Sequence, residues 1–111
     1  MGFTVTEKRL GQFEREILLA IAHLSGRGYG VTIAKEVERI TGRSVSLGAV
    51  YATVDRLQKK RMISSELGEA TPERGGKPKR YYRVEAPGER ALAEARAADE
   101  KIWGTPIGVP A

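Results

Sequence analysis

The chain has 111 residues, which is enough for one domain with one modest core. It contains no cysteine, so disulfides, thiolate nucleophiles and cysteine-ligated zinc are excluded, and a cytoplasmic protein is the expectation. Its longest apolar run, from Ile17 to Ala22, falls far short of the roughly 20 residues that a membrane span needs. The net charge is +5, and residues 43–83 carry ten lysines and arginines against four acids. Such a basic block favours a polyanionic partner, with a merely solvated surface as the alternative.

Apolar residues recur at steps of three and four in the first half of the chain, which predicts three helices. The apolar positions are Leu10, Phe13, Ile17, Ile21 and Leu24 in the first helix, Ile33, Ala34, Val37 and Ile40 in the second, and Leu47, Val50, Tyr51, Val54 and Leu57 in the third. The second helix begins near Val31 and ends near Gly42, a residue suited to a C-cap. Ser44 and Ser46 are N-cap candidates for the third. The short link between the second and third helices is typical of a helix-turn-helix.

Beyond Met62 the apolar period changes from about 3.6 to 2, which predicts a pair of strands. The strands cover residues 63–67 and 80–84, with Tyr82 facing the core, and a long tip rich in glycine and charge lies between them. Pro87 then opens a last helix that continues to about Trp103. The expected fold is mainly α with a small β-hairpin: a winged helix-turn-helix followed by a C-terminal helix.

The third helix has the composition of a DNA-recognition helix, because small and cationic residues lie opposite its apolar stripe. We place Ser46, Ala49, Thr53, Arg56 and Lys60 on that outer face, and expect Ser44 or Ser46 to grip a phosphate. The full set of candidate DNA-binding residues on this helix is Ser44, Ser46, Gly48, Ala49, Tyr51, Thr53, Arg56 and Lys60. An ordinary amphipathic helix with a solvated outer face is the alternative.

The hairpin tip supplies a second group of DNA-binding candidates: Arg74, Lys77, Lys79 and Arg80. Four cations on a glycine-hinged loop can follow a phosphate backbone or enter a minor groove. In a purely structural tip these charges would repel one another, since Glu73 is the only acid nearby. We therefore expect the wing to face phosphate.

The candidate motifs for catalysis or cofactor binding each lack residues that such motifs require. The segment GGK at residues 75–77 lacks the flanking residues of a phosphate-binding loop, and the glycines at 26, 28 and 30 do not match a dinucleotide pattern. The chain has one histidine, His23, which we expect to be a half-buried packing residue. We predict no enzyme, no cofactor and no metal site.

Four segments in the same order resemble the PadR family of bacterial transcriptional regulators, especially its short members with one C-terminal helix. They are YGVTI at 29–33, SLGAVYATVDRL at 46–57, TPERGGKPKRYYRV at 71–84 and GERAL at 88–92, and the resemblance runs from about residue 10 to 103. It implies a homodimeric repressor that binds a pseudo-palindromic operator and is released by a small aromatic or amphipathic effector. A winged-helix module for protein–protein or RNA binding is the alternative function.

The resemblance also implies that the C-terminal helix pairs two chains. The residues that we expect at this contact are Ala91, Leu92, Ala95, Ala98, Ile102 and Trp103, of which the small ones permit close helix approach. Packing of this helix on the first helix of its own chain is the alternative. The chain then divides into a DNA-binding domain at 1–86, a dimerisation helix at 87–104 and a frayed tail at 105–111.

Overall fold

The structure, a computed structural model, describes residues 10–69, 77–106 and 108. Its elements are α1 (Gln12–Leu24), α2 (Gly30–Thr41), α3 (Leu47–Lys59), β1 (Ile63–Leu67), β2 (Arg80–Val84) and α4 (Ala86–Gly104). This order confirms the winged helix-turn-helix with a C-terminal helix. Across the described ranges, no helix has the length and apolarity needed to cross a membrane.

Local side-chain and backbone bonds fix where the helices begin and end. The Gly11 N–H donates to the Glu14 carboxylate over 2.9 Å at the start of α1, and the Tyr29 N–H donates to the Thr32 hydroxyl over 3.0 Å at the start of α2. Both bonds satisfy backbone donors that a helix N-terminus otherwise leaves free. Gly42 ends α2 with φ 76°, as predicted, because glycine enters this left-handed region without strain.

The hairpin is anchored to the helices through its second strand. β1 and β2 pair antiparallel, with Ile63 opposite Val84 and Leu67 opposite Arg80. The Tyr82 N–H donates to the Gly28 carbonyl over 2.9 Å, which joins the hairpin to the α1–α2 connection. Tyr82 is only 6% exposed, so the prediction that it faces the core is confirmed, and burial raises the pKa of its hydroxyl.

The core lies where the three helices meet and β2 closes over them. Its largest fully buried apolar side chains are Ile17, Leu18, Ile21, Ile33, Val37, Val50 and Leu57. Three residues predicted in the apolar stripes are misplaced: Ile40 is 37% exposed, Leu47 is 41% exposed and Tyr51 is 49% exposed. Leu47 is the first residue of α3 and lies one turn before Tyr51, on the exposed side of that helix.

α4 packs on the core of its own chain along its first half and contacts α1 again through Asp99. Ala91 and Leu92 pack against the core, and Arg15 of α1 forms a 3.0 Å ion pair with Asp99. Further along, Ile102 is 67% exposed and Trp103 is 84% exposed. The alternative of packing on α1 therefore describes the helix as far as Asp99, while the paired C-terminal helix stays a prediction.

Candidate nucleic-acid interface

The first two turns of α3 present an uncharged surface. Ser46 caps the helix by accepting the Ala49 N–H over 3.1 Å. Leu47, Gly48, Tyr51 and Ala52 are then exposed, whereas Val50 and Val54 are buried. In a helix-turn-helix the N-terminal part of the recognition helix contacts base edges, so these four residues occupy the position from which bases are read.

This exposed surface is rotated about the helix axis, by roughly one residue position, relative to the outer face predicted from the sequence. Thr53 is only 1% exposed, so its predicted place on the outer face is wrong. Ala49 is half-buried and lines a groove of about 430 Å³ with Phe13 of α1. The reason is that α1 packs along the side of α3 that carries these two residues, and the hydroxyl of Thr53 accepts a 3.3 Å bond from Arg56.

Two of the predicted DNA-binding cations on this side are held by a buried acid of α1. Glu14, 8% exposed, accepts from Lys60 Nζ over 3.1 Å and from Arg56 Nε over 3.4 Å. Burial alone raises the pKa of the Glu14 carboxyl, but the Gly11 N–H bond and the two cations outweigh it, so the pKa lies below its ordinary value. Arg56 and Lys60 therefore serve first to tie α3 to α1, and phosphate contact by them stays a prediction.

The serines before α3 also have structural partners. The Ser44 hydroxyl lies 3.5 Å from Glu38, a carboxylate that also accepts the Val45 N–H over 3.1 Å. The Ser46 side chain serves as the N-cap. The Ser46 hydroxyl accepts one bond and can still donate its proton to a phosphate, whereas the Ser44 hydroxyl already donates its proton to Glu38. Phosphate contact by either serine stays a prediction.

Tyr51 connects α3 to the start of α2. Its ring lies directly over Gly30, where a Cβ would lie 2.7 Å from Tyr51 Cζ and 2.8 Å from Cε1. Such distances exclude any side chain at Gly30 while the ring keeps its place. Tyr51 is still 49% exposed, so one edge of a packed ring faces solvent.

The base of the wing is attached to the same end of α2. Lys79 Nζ lies 4.1 Å from the centroid of the Tyr29 ring, a cation–π contact. Tyr81 meets Tyr29 edge to face, with ring centroids 5.7 Å apart. Tyr51, Gly30, Tyr29 and Lys79 thus form one continuous series of contacts from the recognition helix to the wing.

The other wing cations differ in their surroundings. Lys77 is exposed, and Arg80 donates to the Ser65 hydroxyl across the hairpin over 3.1 Å. Arg74 lies outside the described residues. Lys77, Lys79 and Arg80 therefore remain candidates for phosphate contact, with Lys79 held in a defined position.

Comparison with known proteins identifies the family. The model of the transcriptional regulator PadR-like family matches residues 18–94. The chain belongs to the PadR-like family. Proteins of this family are DNA-binding transcriptional regulators and generally not enzymes.

Solved structures agree with the PadR-like assignment. A PadR-like transcription factor from Bacteroides fragilis is 25% identical, with a TM-score of 0.72 over 91% of this chain and 90% of that one. A transcriptional regulator from Clostridium thermocellum is 23% identical, with a TM-score of 0.68 over 94% and 92%. A PadR-like regulator from Bacillus cereus is 24% identical, with a TM-score of 0.67 over 83% and 84%. Comparison with curated protein sequences found no match.

His23 of this PadR-like chain lies in an exposed ion cluster, so the prediction of a half-buried packing residue is wrong. Its side chain is 44% exposed, and Nδ1 lies 2.9 Å from Glu36 Oε2. Arg39 and then His23 lower the pKa of Glu36 to about 2. The cluster links the end of α1 to the second half of α2 on the outside of the fold, and none of its members is a residue of the proposed interface.

Three positions that organise the PadR-like interface were missed from the sequence. Gly30 and Tyr29 were seen only as a family motif, although they place Tyr51 and Lys79. Glu14 was not singled out, because a lone acid between apolar positions of a helix normally indicates a solvated face. The helical spacing did carry a signal, since Glu14 lies one turn before Ile17 and therefore on the side of α1 that faces the core.

We expect Glu14→Gln to destabilise the PadR-like fold by about 1–2 kcal/mol at pH 7, because two cations lose their carboxylate while the amide can still accept from Gly11. The pKa of Glu14 is lowered in the folded state, so its contribution is full above the ordinary value of 4.5 and is lost as the pH falls through the folded value. The free-energy difference between wild type and variant should therefore shrink below about pH 4.5 in urea unfolding.

Glu66→Gln is the matched control for this experiment. Glu66 is 71% exposed and lies 3.6 Å from Arg83, so its removal should change the free energy of unfolding by less than about 0.5 kcal/mol. Equal effects of the two substitutions at pH 7 would contradict the role assigned to Glu14.

Proposed function

We propose that the chain is a homodimeric repressor that binds a pseudo-palindromic operator in double-stranded DNA and releases it when a small aromatic or amphipathic effector binds. The observation that carries this proposal is the contact series from Tyr51 through Gly30 and Tyr29 to Lys79. It supports a single binding surface in which an uncharged reading helix and a cationic wing have a fixed relation. A protein that contacts both the bases and the phosphates of one duplex needs that combination.

In this proposal α3 enters the major groove and the wing follows the neighbouring phosphates. Two chains paired through α4 present two such surfaces, and half-sites about 10 bp apart would match one turn of the duplex. The exposed side chains of Ile102 and Trp103 support pairing through the second half of α4. An effector that binds between the paired helices would alter their angle and hence the half-site spacing. Trp103 is the single tryptophan, so its fluorescence would report either event.

The proposal is tested by selecting duplexes from a random 30-bp library with the full chain. Enrichment of a pseudo-palindrome, footprinted also upstream of the operon that encodes the chain, is the expected result. Recovery of no sequence above background, or tighter binding of duplex RNA than of any DNA, would overturn it and favour the alternative winged-helix module.

The wing makes a separate quantitative prediction. We expect Lys77→Ala together with Lys79→Ala to weaken binding of selected and random duplexes alike, because phosphate contacts are independent of sequence. The slope of log affinity against log salt should flatten by about 0.9 for each phosphate that is no longer neutralised. Binding is measured by fluorescence anisotropy between 50 and 300 mM salt.

Lys101→Ala is the control for charge alone. Lys101 is an exposed cation on α4, far along the chain from the wing and from α3. Its replacement should leave the salt slope unchanged. A slope that is unchanged in the wing variant, or that flattens equally in the control, would show that the wing does not contact phosphate.

A further inference from the structure

The reading surface of α3 contains no charged side chain. From Leu47 to Val54 the sequence is LGAVYATV, and the exposed members are one aliphatic side chain, one tyrosine and two small residues. Leu47 is 41% exposed and Tyr51 is 49% exposed. The first charge on this side is Asp55, which lies 3.1 Å from Lys59.

Three cations that flank this surface form ion pairs with acids of α1. Arg43, just before the helix, forms an ion pair with the buried Glu16, and Arg56 and Lys60, beyond the second turn, with Glu14. Recognition of guanine in the major groove is most often a pair of hydrogen bonds from arginine or lysine to O6 and N7. Within the described residues, the reading surface offers no such donor.

What the surface does offer is apolar contact. In the major groove, thymine alone among the four bases carries a methyl group, at C5, and apolar side chains recognise it by burying it. We propose that the first two turns of α3 read thymine methyl groups, with Tyr51 and Leu47 as the residues that determine specificity and with Gly48 and Ala52 allowing the helix backbone to approach the base edges. This inference rests on the proposed function and adds the chemistry by which the operator is recognised.

Gly30 is the positioning residue for this recognition. The Tyr51 ring lies against the Gly30 backbone, and its position is therefore fixed before any DNA binds. A side chain that is already ordered loses less conformational entropy on binding, so a methyl contact made by it discriminates better. An alanine at Gly30 would occupy the place of the ring and displace it.

The test replaces thymine by deoxyuridine in the selected operator. Deoxyuridine keeps base pairing and the O4 acceptor and lacks only the methyl group. Affinity should fall about fourfold for each thymine whose methyl group is buried against α3. Replacing guanine by 7-deazaguanine, which removes the N7 acceptor, should change affinity less than about twofold. The opposite pattern, indifference to deoxyuridine with a loss on 7-deazaguanine, would overturn the inference.

Protein variants connect the effect to the residues. Tyr51→Ala should abolish most of the discrimination between thymine and deoxyuridine, and Gly30→Ala should reduce it in the same direction while leaving the salt slope unchanged. Gln58→Ala, an exposed change in the last turn of α3, should retain full discrimination. Circular dichroism melting shows whether each variant is folded. Full discrimination in a folded Tyr51→Ala would also overturn the inference.

The proposed function and the inference about thymine methyl groups can be rejected independently of each other. If no duplex sequence is enriched from the library, the proposed function itself is wrong. If a sequence is enriched but its thymine methyl groups do not matter, sequence-specific DNA binding stands and only the methyl reading is rejected.

Discussion

Replacing Ile102 by glutamate is expected to leave the fold intact and to abolish tight operator binding. Ile102 is 67% exposed, so a charge there costs the single chain little. Within a pair of α4 helices the same charge would be buried against an apolar partner, which is strongly unfavourable. The particle in sedimentation should shift from about twice to once the 12.1 kDa of one chain.

The loss of affinity should be large, because two linked half-site contacts gain about 10²–10⁴ over one. Ala97→Glu is the matched control: it adds the same charge at an exposed position on the opposite side of α4. It should keep both the dimer and the operator affinity. A dimer that survives Ile102→Glu would place the subunit contact elsewhere.

Replacing Gly88 by alanine is expected to destabilise the protein by about 1–3 kcal/mol, the usual range for overpacking. Gly88 is buried in the first turn of α4, where a Cβ would collide with the Met62 carbonyl oxygen and lie 2.8 Å from Val84 Cγ1. The collision involves backbone, so the start of α4 has to move away from the hairpin. We expect a lower melting temperature together with reduced operator affinity, since in the proposed dimer the angle of α4 would set the spacing of the two α3 helices.

Gly48→Ala separates this collision from the general effect of adding a methyl group to a helical glycine. A Cβ at Gly48 meets nothing within 4 Å, and alanine has the higher helix propensity. The melting temperature of this control should stay the same or rise. An unchanged melting temperature in Gly88→Ala would contradict the close approach of α4 to Met62.

The order and kind of the elements could be predicted from the sequence because each depends on a local period. Steps of three and four predicted α1 to α3, alternation around Tyr82 predicted β2, and Gly42 and Pro87 marked a helix end and a helix start. These signals act within a few residues of the chain, so tertiary packing did not alter them.

The exposed face of α3, which we propose reads bases, could not be predicted in the same way. The exposed and buried sides depend on the angle at which α1 crosses the helix, and a rotation by one residue moves Thr53 into the core and Tyr51 outward. Arg56 and Lys60 resembled phosphate ligands because the partner that holds them, Glu14, lies more than 40 residues earlier. Contacts between residues so far apart in the sequence produce no periodic pattern of residue types.

Two neighbouring residues of α1 form ion pairs with α3 and α4. Glu14 binds Arg56 and Lys60 of α3, and Arg15 binds Asp99 of α4. α1 thus contacts both the helix proposed to read DNA and the helix proposed to join two chains. If α4 joins two chains, a change in its tilt would act on the same turn of α1 that contacts α3, and a signal at the subunit contact would have a short route to the proposed DNA surface.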